Sequence, residues 1–247
     1  MNRGIYTAYT GLATAKAAQE TRAGNLANVS TPGYKSDTLV FGSFHEHLLS
    51  ARANFLAGNN SLGSGTPMSA AAGVSVNFQQ GAMENTGNTW DLALQGDGFF
   101  CLQGEQGTYY TRNGRFGLDA QGHVVNNQGM YLLGQAGRIL GSDLQVDPGG
   151  NLVNAAGEIV DSLQLVTFPD PQQLERVSAD LFSSEADGAP ANPQVMAGYL
   201  EVSNTDMALE LTEMMMLLRT FEMNQTMIQS QDQLLDLAAN EIGSLRG

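Results

Sequence analysis

The chain has 247 residues, with 11 Lys and Arg against 25 Asp and Glu for a formal charge of −14. That balance excludes a nucleic-acid partner, which needs a basic stripe, and disfavours an anionic membrane face. The one cysteine, Cys101, allows no internal disulfide and no thiolate zinc cage. No run approaches the ~18 apolar residues of a membrane span, so no direct membrane insertion is expected. Charged residues are only 15%, below the ~25% of ordinary soluble domains, and Gly is raised to 29 residues. Low charge with high Gly points to a turn-rich, β-containing chain that hides much of its surface against something.

The N-terminal segment reads as a helix. Ile5, Ala8, Leu12, Ala15, Gln19, Arg22, Leu26 and Val29 recur in steps of three and four, which is one helix face or a coiled-coil seam. Gln19 and Arg22 weaken its middle. Its first 16 residues are mixed and Thr-rich, with no apolar run of signal-peptide length, so no cleavable leader is expected. The helix should stop at Ser30-Thr31-Pro32-Gly33, because Pro32 biases Thr31 away from helical angles and Gly33 permits a positive φ. Residues 36–73 form a Gly/Ala-rich arm with little apolar bulk to support a core, either partner-ordered or an ordinary loop.

Residues 74–202 read as β structure, with short apolar runs separated by Gly, Asn and Asp. One turn pattern recurs: an Asx, two spacers, a Gly, one residue and then an apolar one. It occurs at Asp119–Gly122, Asp147–Gly150 and Asn154–Gly157. The Asx side chain bonds the backbone two residues on, and Gly takes the left-handed position, so consecutive antiparallel hairpins are expected. Residues 203–247 are the most regular. Met207, Leu211, Met214, Leu218, Phe221, Gln225, Ile228, Asp232, Leu235, Ala239 and Ile242 make a seam of about five heptads. Ser203 or Asn204 could cap this helix. A helix of ~40 residues spans ~60 Å, too long for one small β domain, so it needs partners along its length. Met214, Met215 and Met216 are either bundle filling or adaptable contacts between subunits. The expected fold class is α+β, with long N- and C-terminal helices pairing as a coiled coil and a central antiparallel β-rich domain. Its segments are 1–35, 36–73, 74–202 and 203–247.

Catalytic chemistry finds little support. His45-Glu46-His47 lacks a third metal ligand, and a solvated pair is the plainer reading. Cys101 sits between Phe100 and Leu102, a setting for a buried, inert thiol. Gly96-Asp97-Gly98 lacks the helix and Lys of a phosphate loop and reads as a β-turn. No catalytic, cofactor-binding or metal residue is nominated, no cofactor is expected, and an enzyme is not expected.

Asn25-Leu-Ala-Asn-Val-Ser-Thr-Pro-Gly-Tyr-Lys35 resembles the signature of bacterial flagellar axial proteins. So do the opening Gly4–Ala8, the stretch Asp91–Phe100 followed by Tyr110-Thr-Arg-Asn-Gly-Arg-Phe116, and Gly198–Asn204 followed by Arg219–Asn224. The chain lacks the length for the additional outer domain of a hook subunit and is similar to the flagellar basal-body rod proteins. The resemblance implies a structural subunit that self-assembles helically through its terminal helices and transmits torque from motor to hook. It implies a place in the flagellum basal body and export through a type III apparatus. Its partners would be copies of itself and other rod and hook proteins. Leu12, Leu26, Leu211, Met214, Leu218, Phe221, Ile228 and Leu235 would make the coiled-coil contacts. Asn25, Asn28, Thr31, Gly33 and Tyr34 would form the turn, and Phe99, Phe100, Tyr110 and Phe116 the β core. The competing readings are a hook or hook-associated component, and a secreted β-domain enzyme or adhesin.

Overall fold

The computed structural model describes residues 3–43, 69–105, 107–142, 144–186 and 188–244. Within them the chain forms two units. One combines residues 1–26, 37–75 and 207–247; the other combines 27–36 and 76–206. Together they are α+β.

The first unit holds both helices. α1 (Arg3–Ala27) has 25 residues and α2 (Met207–Ser244) has 38, so they measure about 37 and 57 Å at 1.5 Å per residue. Two strands, β1 (Asp37–Ser43) and β2 (Ser69–Val76), pair in a small sheet. The expected arm over 36–73 therefore begins and ends as strand. Its middle, with His45-Glu46-His47, lies outside the described residues.

The second unit is antiparallel β. In chain order it contains β3 (Met83–Asn85), β4 (Leu92–Gln95), β5 (Phe99–Gln103), β6 (Thr108–Thr111), β7 (Phe116–Leu118), β8 (Val124–Asn126), β9 (Tyr131–Gly134), β10 (Gly137–Arg138), β11 (Gln145–Val146) and β12 (Asn151–Val153). There follow β13 (Ile159–Ser162), β14 (Leu165–Thr167), β15 (Glu175–Arg176), β16 (Leu181–Ser183), β17 (Ala189–Pro190), β18 (Gln194–Ala197) and β19 (Tyr199–Glu201). The largest sheet runs β15-β16-β6-β5-β9-β8-β7, with β10 beside β9, β14 beside β5 and β17 beside β14. Smaller ladders are β11-β12-β13, β18-β4 and β19-β3.

Turn chemistry drives this meander. Asp147 Oδ1 accepts from the Gly149 and Asn151 amides at 2.8 and 2.9 Å, and Gly150 takes φ +76°. Asp119–Gly122 and Asn154–Gly157 repeat the arrangement. A fourth copy joins β8 to β9: Asn126 Oδ1 accepts from Gln128 and Met130 at 3.0 and 2.9 Å. Such turns suit the right-handed twist of the strands they connect.

Two apolar clusters fill the unit. Phe100 and Phe116 meet edge-to-face at 5.4 Å in the larger one, with Leu92, Leu102, Leu132 and Leu152. Phe99, Tyr110, Phe168 and Phe182 form the other; Tyr110 and Phe168 lie 4.9 Å apart. Phe99 and Phe100 point to opposite faces because successive strand residues alternate, so one dipeptide serves both clusters. Cys101 is fully buried, and burial pushes its thiol up to about 12, so it supplies no thiolate at neutral pH.

Candidate functional site

α1 and α2 run antiparallel. Moving down one helix moves up the other: Asn25 bonds Glu210, Arg22 pairs with Glu213, and Gly11 lies against Asn224. Among the described side chains of α1, from residue 7 on, the buried positions are Ala8, Ala15, Ala18 and Asn25. With Gly11 and Arg22 they form one row in steps of three and four, mostly of small side chains. Small side chains let two helices approach closely. A Cβ on Gly11 would come within 2.9 Å of Asn224 Nδ2.

The polar end of this row is fully paired. Glu210 is buried, and Arg22 Nη1 donates to it at 3.1 and 3.2 Å. Asn25 Nδ2 donates to Glu210 Oε1 at 3.0 Å and to the Asp37 carbonyl at 2.9 Å, while Asn25 Oδ1 accepts from the Asp37 amide at 2.8 Å. One amide side chain thus fixes α1 against both α2 and the start of β1. Its two ends match the backbone donor and acceptor of Asp37, a fit that neither Asp nor Leu provides.

The half-buried row of α2 is Met214, Leu217, Phe221, Asn224, Ile228, Gln231 and Leu235, continuing from Glu210. Four of the expected contacts, Met214, Phe221, Ile228 and Leu235, lie on it. Leu211 and Leu218 do not; they are 43% and 42% exposed, one step round the helix. On α1 the same offset occurs. Gly11, Ala18 and Asn25 occupy the column expected for Leu12, Gln19 and Leu26, and Leu12 and Leu26 are only half-buried. The cause is steric: close approach selects the small row, whereas counting apolar bulk selects the adjacent one.

Of the five residues expected in the turn, Asn28, Thr31, Gly33 and Tyr34 belong to the β unit, whereas Asn25 lies within α1 of the helical unit, where its amide is taken up by Glu210 and Asp37. Thr31 donates its amide to the Asn28 carbonyl at 3.0 Å and its hydroxyl to Asn28 Oδ1 at 3.3 Å. Gly33 has φ +67°, and its amide donates to the Glu201 carbonyl at 2.7 Å. A Cβ there would lie 2.3 Å from the Arg112 carbonyl carbon and the Asn113 amide nitrogen. Tyr34 is buried, with the Arg176 guanidinium 5.0 Å from its ring centre.

Next to this turn lies a buried charge cluster absent from the sequence reading. Lys35 and Glu201 are each 1% exposed in their side chains, with Nζ and Oε1 2.5 Å apart. Lys35 Nζ also donates to the Gln79 carbonyl at 2.8 Å, and Glu201 Oε1 accepts from the Gly81 amide at 2.9 Å. Arg112 Nη1 faces Glu201 Oε2 at 3.5 Å, and its guanidinium stands 5.3 Å from the Phe99 ring centre. Burial pulls the Lys35 ammonium below its ordinary range, although Glu201 pushes it back up. The sequence placed each of the three charges inside a separate motif. It carried no signal that they meet.

Among the described residues no group of His, Cys, Asp and Glu could hold a metal ion, and no helix is long and apolar enough to cross a membrane. Three family models match the chain. They are "Flagella basal body rod protein" over residues 5–35, "Flagellar hook protein FlgE/F/G D1 domain" over 93–139, and "Flagellar basal body rod FlgEFG protein C-terminal" over 196–241. Lys35, Arg112 and Glu201 fall one in each. The chain is also similar to the flagellar basal-body rod protein FlgG of Bacillus subtilis (strain 168), 29% identical over 97% of this chain and 99% of that protein. FlgG of Borreliella burgdorferi is 28% identical over 97% and 98%. FlgF of Caulobacter vibrioides is 27% identical over 99% and 100%.

Proposed function

Because the chain belongs to the family of flagellar basal-body rod proteins, we propose that it builds the rod by packing its terminal helices as a coiled coil with those of other copies. It is a structural subunit of the flagellar basal body and assembles with other rod and hook proteins. As a rod component it carries torque from motor to hook. It reaches its site through the type III export apparatus.

The observation that carries this reading is the exposure left on α2 after α1 has paired with it. Met207, Leu211 and Leu218 line one flank of the pairing face and Leu209, Met216 and Met223 another, all exposed. A helix that is apolar on several flanks needs several neighbours. The β unit, by contrast, closes its own core.

The test is complementation of a strain lacking the gene. Leu218→Asp places a carboxylate in the proposed copy-to-copy contact, where burying an unpaired charge is costly. Rods and motility should be lost while export of the variant continues. Full motility would remove Leu218 from the interface. Detection of the wild-type chain in the hook rather than the rod of purified hook–basal bodies would favour the hook-component reading.

A further inference from the structure

Leu209, Met216 and Met223 are spaced by seven residues, as are Met227 and Leu234, so the five form one outward row at heptad spacing on α2. Met216, Met223 and Met227 are 56%, 66% and 45% exposed. The row borders a groove of about 310 Å³ between the two helices, lined by Ala18, Thr21, Leu39, Met216 and Leu217 among others. The antiparallel register places Arg3 of α1 opposite about residue 232 of α2, so α2 continues past its partner for about 12 residues, some 18 Å. The row runs on into that stretch at Leu234. It is thus continuous with the pairing face but reaches beyond the only other helix described. The helix of sufficient length to cover it is that of a second copy.

We infer that this methionine row is a copy-to-copy seam and, at the same time, a modification site: oxidation of Met216, Met223 and Met227 to sulfoxide in the free subunit blocks assembly. The inference rests on the rod-subunit reading and adds to it a chemical control. The oxidant is hydrogen peroxide. The thioether sulfur lone pair attacks one peroxide oxygen, an S–O bond forms and the O–O bond breaks. The second oxygen leaves as hydroxide and takes the proton of the oxygen now on sulfur to become water, and sulfur loses two electrons to the peroxide. The product replaces a flexible apolar side chain with a polar, chiral one. The new oxygen demands hydrogen bonds that an apolar neighbour does not supply, so burying it in the seam is costly. Unoxidised, the same methionines suit a seam whose neighbours differ slightly from copy to copy, because the unbranched thioether adapts its shape. Packing in the assembled state covers the sulfurs, so sensitivity belongs to the subunit before it assembles.

The experiment uses the full chain. Peroxide treatment is followed by peptide mass mapping to confirm sulfoxide at the three positions, and self-association is read by sedimentation over a concentration series. Oxidation should weaken association about tenfold or more, a change that reductase repair of the sulfoxides reverses. The variant Met216→Leu/Met223→Leu/Met227→Leu, which conserves volume, should associate as the untreated wild type does and lose its sensitivity to peroxide. Unchanged association of the oxidised wild type overturns the inference, as does a Leu variant that stays equally sensitive. Failure of the untreated wild type to self-associate at any concentration overturns the helical-assembly reading itself.

Discussion

The β unit and the helical unit solve the problem of apolar surface in opposite ways. The β unit buries two aromatic and aliphatic clusters within itself. It carries five Lys and Arg against 16 Asp and Glu, and two of those cations, Lys35 and Arg112, are buried. Its surface is therefore acidic and resists self-association. The helical unit has six cations against nine anions, and it exposes Leu and Met along most of α2. One unit closes its core alone; the other leaves apolar helix flanks exposed. The difference teaches that a closed core and exposed apolar surface are assigned to separate parts of the sequence, so mutations should separate their effects too. Trp90, the one tryptophan, lies in the larger β cluster and reports on the β unit, while far-UV circular dichroism at helical wavelengths reports mainly on the other.

The comparison breaks most severely at Gly33. Gly33→Val forces a β-branched residue to a positive φ and drives its Cβ into the backbone of Arg112 and Asn113. A loss above about 4 kcal/mol is expected, in the range reserved for strained or overpacked sites. The Trp90 unfolding midpoint in urea should fall sharply; an unchanged midpoint would mean the turn is not part of the β unit's fold.

Next in size is Glu201→Gln, which leaves Lys35 and Arg112 buried without their shared anion, a change that typically costs about 3–5 kcal/mol. Its pH dependence has a definite sign. Burial lowers the Lys35 pKa below 10.5, so between the lowered value and 10.5 the unfolded chain binds the proton more tightly. Stability therefore rises with pH in that window. The Trp90 midpoint of the wild type should climb towards pH 10.5, and the climb should begin at a lower pH in Glu201→Gln, because the carboxylate that raises the Lys35 pKa is gone. A flat profile in both would mean that Lys35 keeps its ordinary affinity for protons.

The legibility of these features follows the same division. Local signals read well. The hairpin turns at Asp119, Asp147 and Asn154 were visible because the side chain, the Gly and the bonded amides lie within five residues. Asn126–Gly129 carries the same pattern and was legible by the same rule, though passed over. The two helices were also legible, from periodicity alone. Less legible was the row that α1 and α2 share within one chain: Leu12, Leu211 and Leu218 attract a count of apolar bulk, while close approach of these two helices is decided by Gly11, Ala15 and Ala18, which such a count undervalues. The Lys35–Glu201–Arg112 cluster was illegible for a different reason. A buried ion pair is a relation between distant positions, and each charge alone looks like an ordinary surface residue.

Gly11→Ile tests the helical unit. The Cβ meets the end of a side chain, Asn224, rather than backbone, so the amide can give way and a moderate cost of about 1–3 kcal/mol is expected. Helical ellipticity should melt earlier while the Trp90 transition stays where it was. A shift of both together would show that the two units unfold as one.

The smallest effect is expected at Asp147→Ala. The carboxylate organises one hairpin through the Gly149 and Asn151 amides, and those bonds, chiefly from Asn151, hold its pKa below the ordinary carboxylate value. A lowered carboxyl pKa contributes stability that is present above about pH 4 and is lost as pH falls through the folded value. The side chain is half-exposed, so the contribution is about 0.5–1 kcal/mol at most. The variant should therefore match the wild type more closely at pH 3 than at pH 7 by the Trp90 midpoint. A gap that stays constant across that range would mean the turn is held by the Gly150 backbone geometry alone, with the carboxylate contributing shape and not charge.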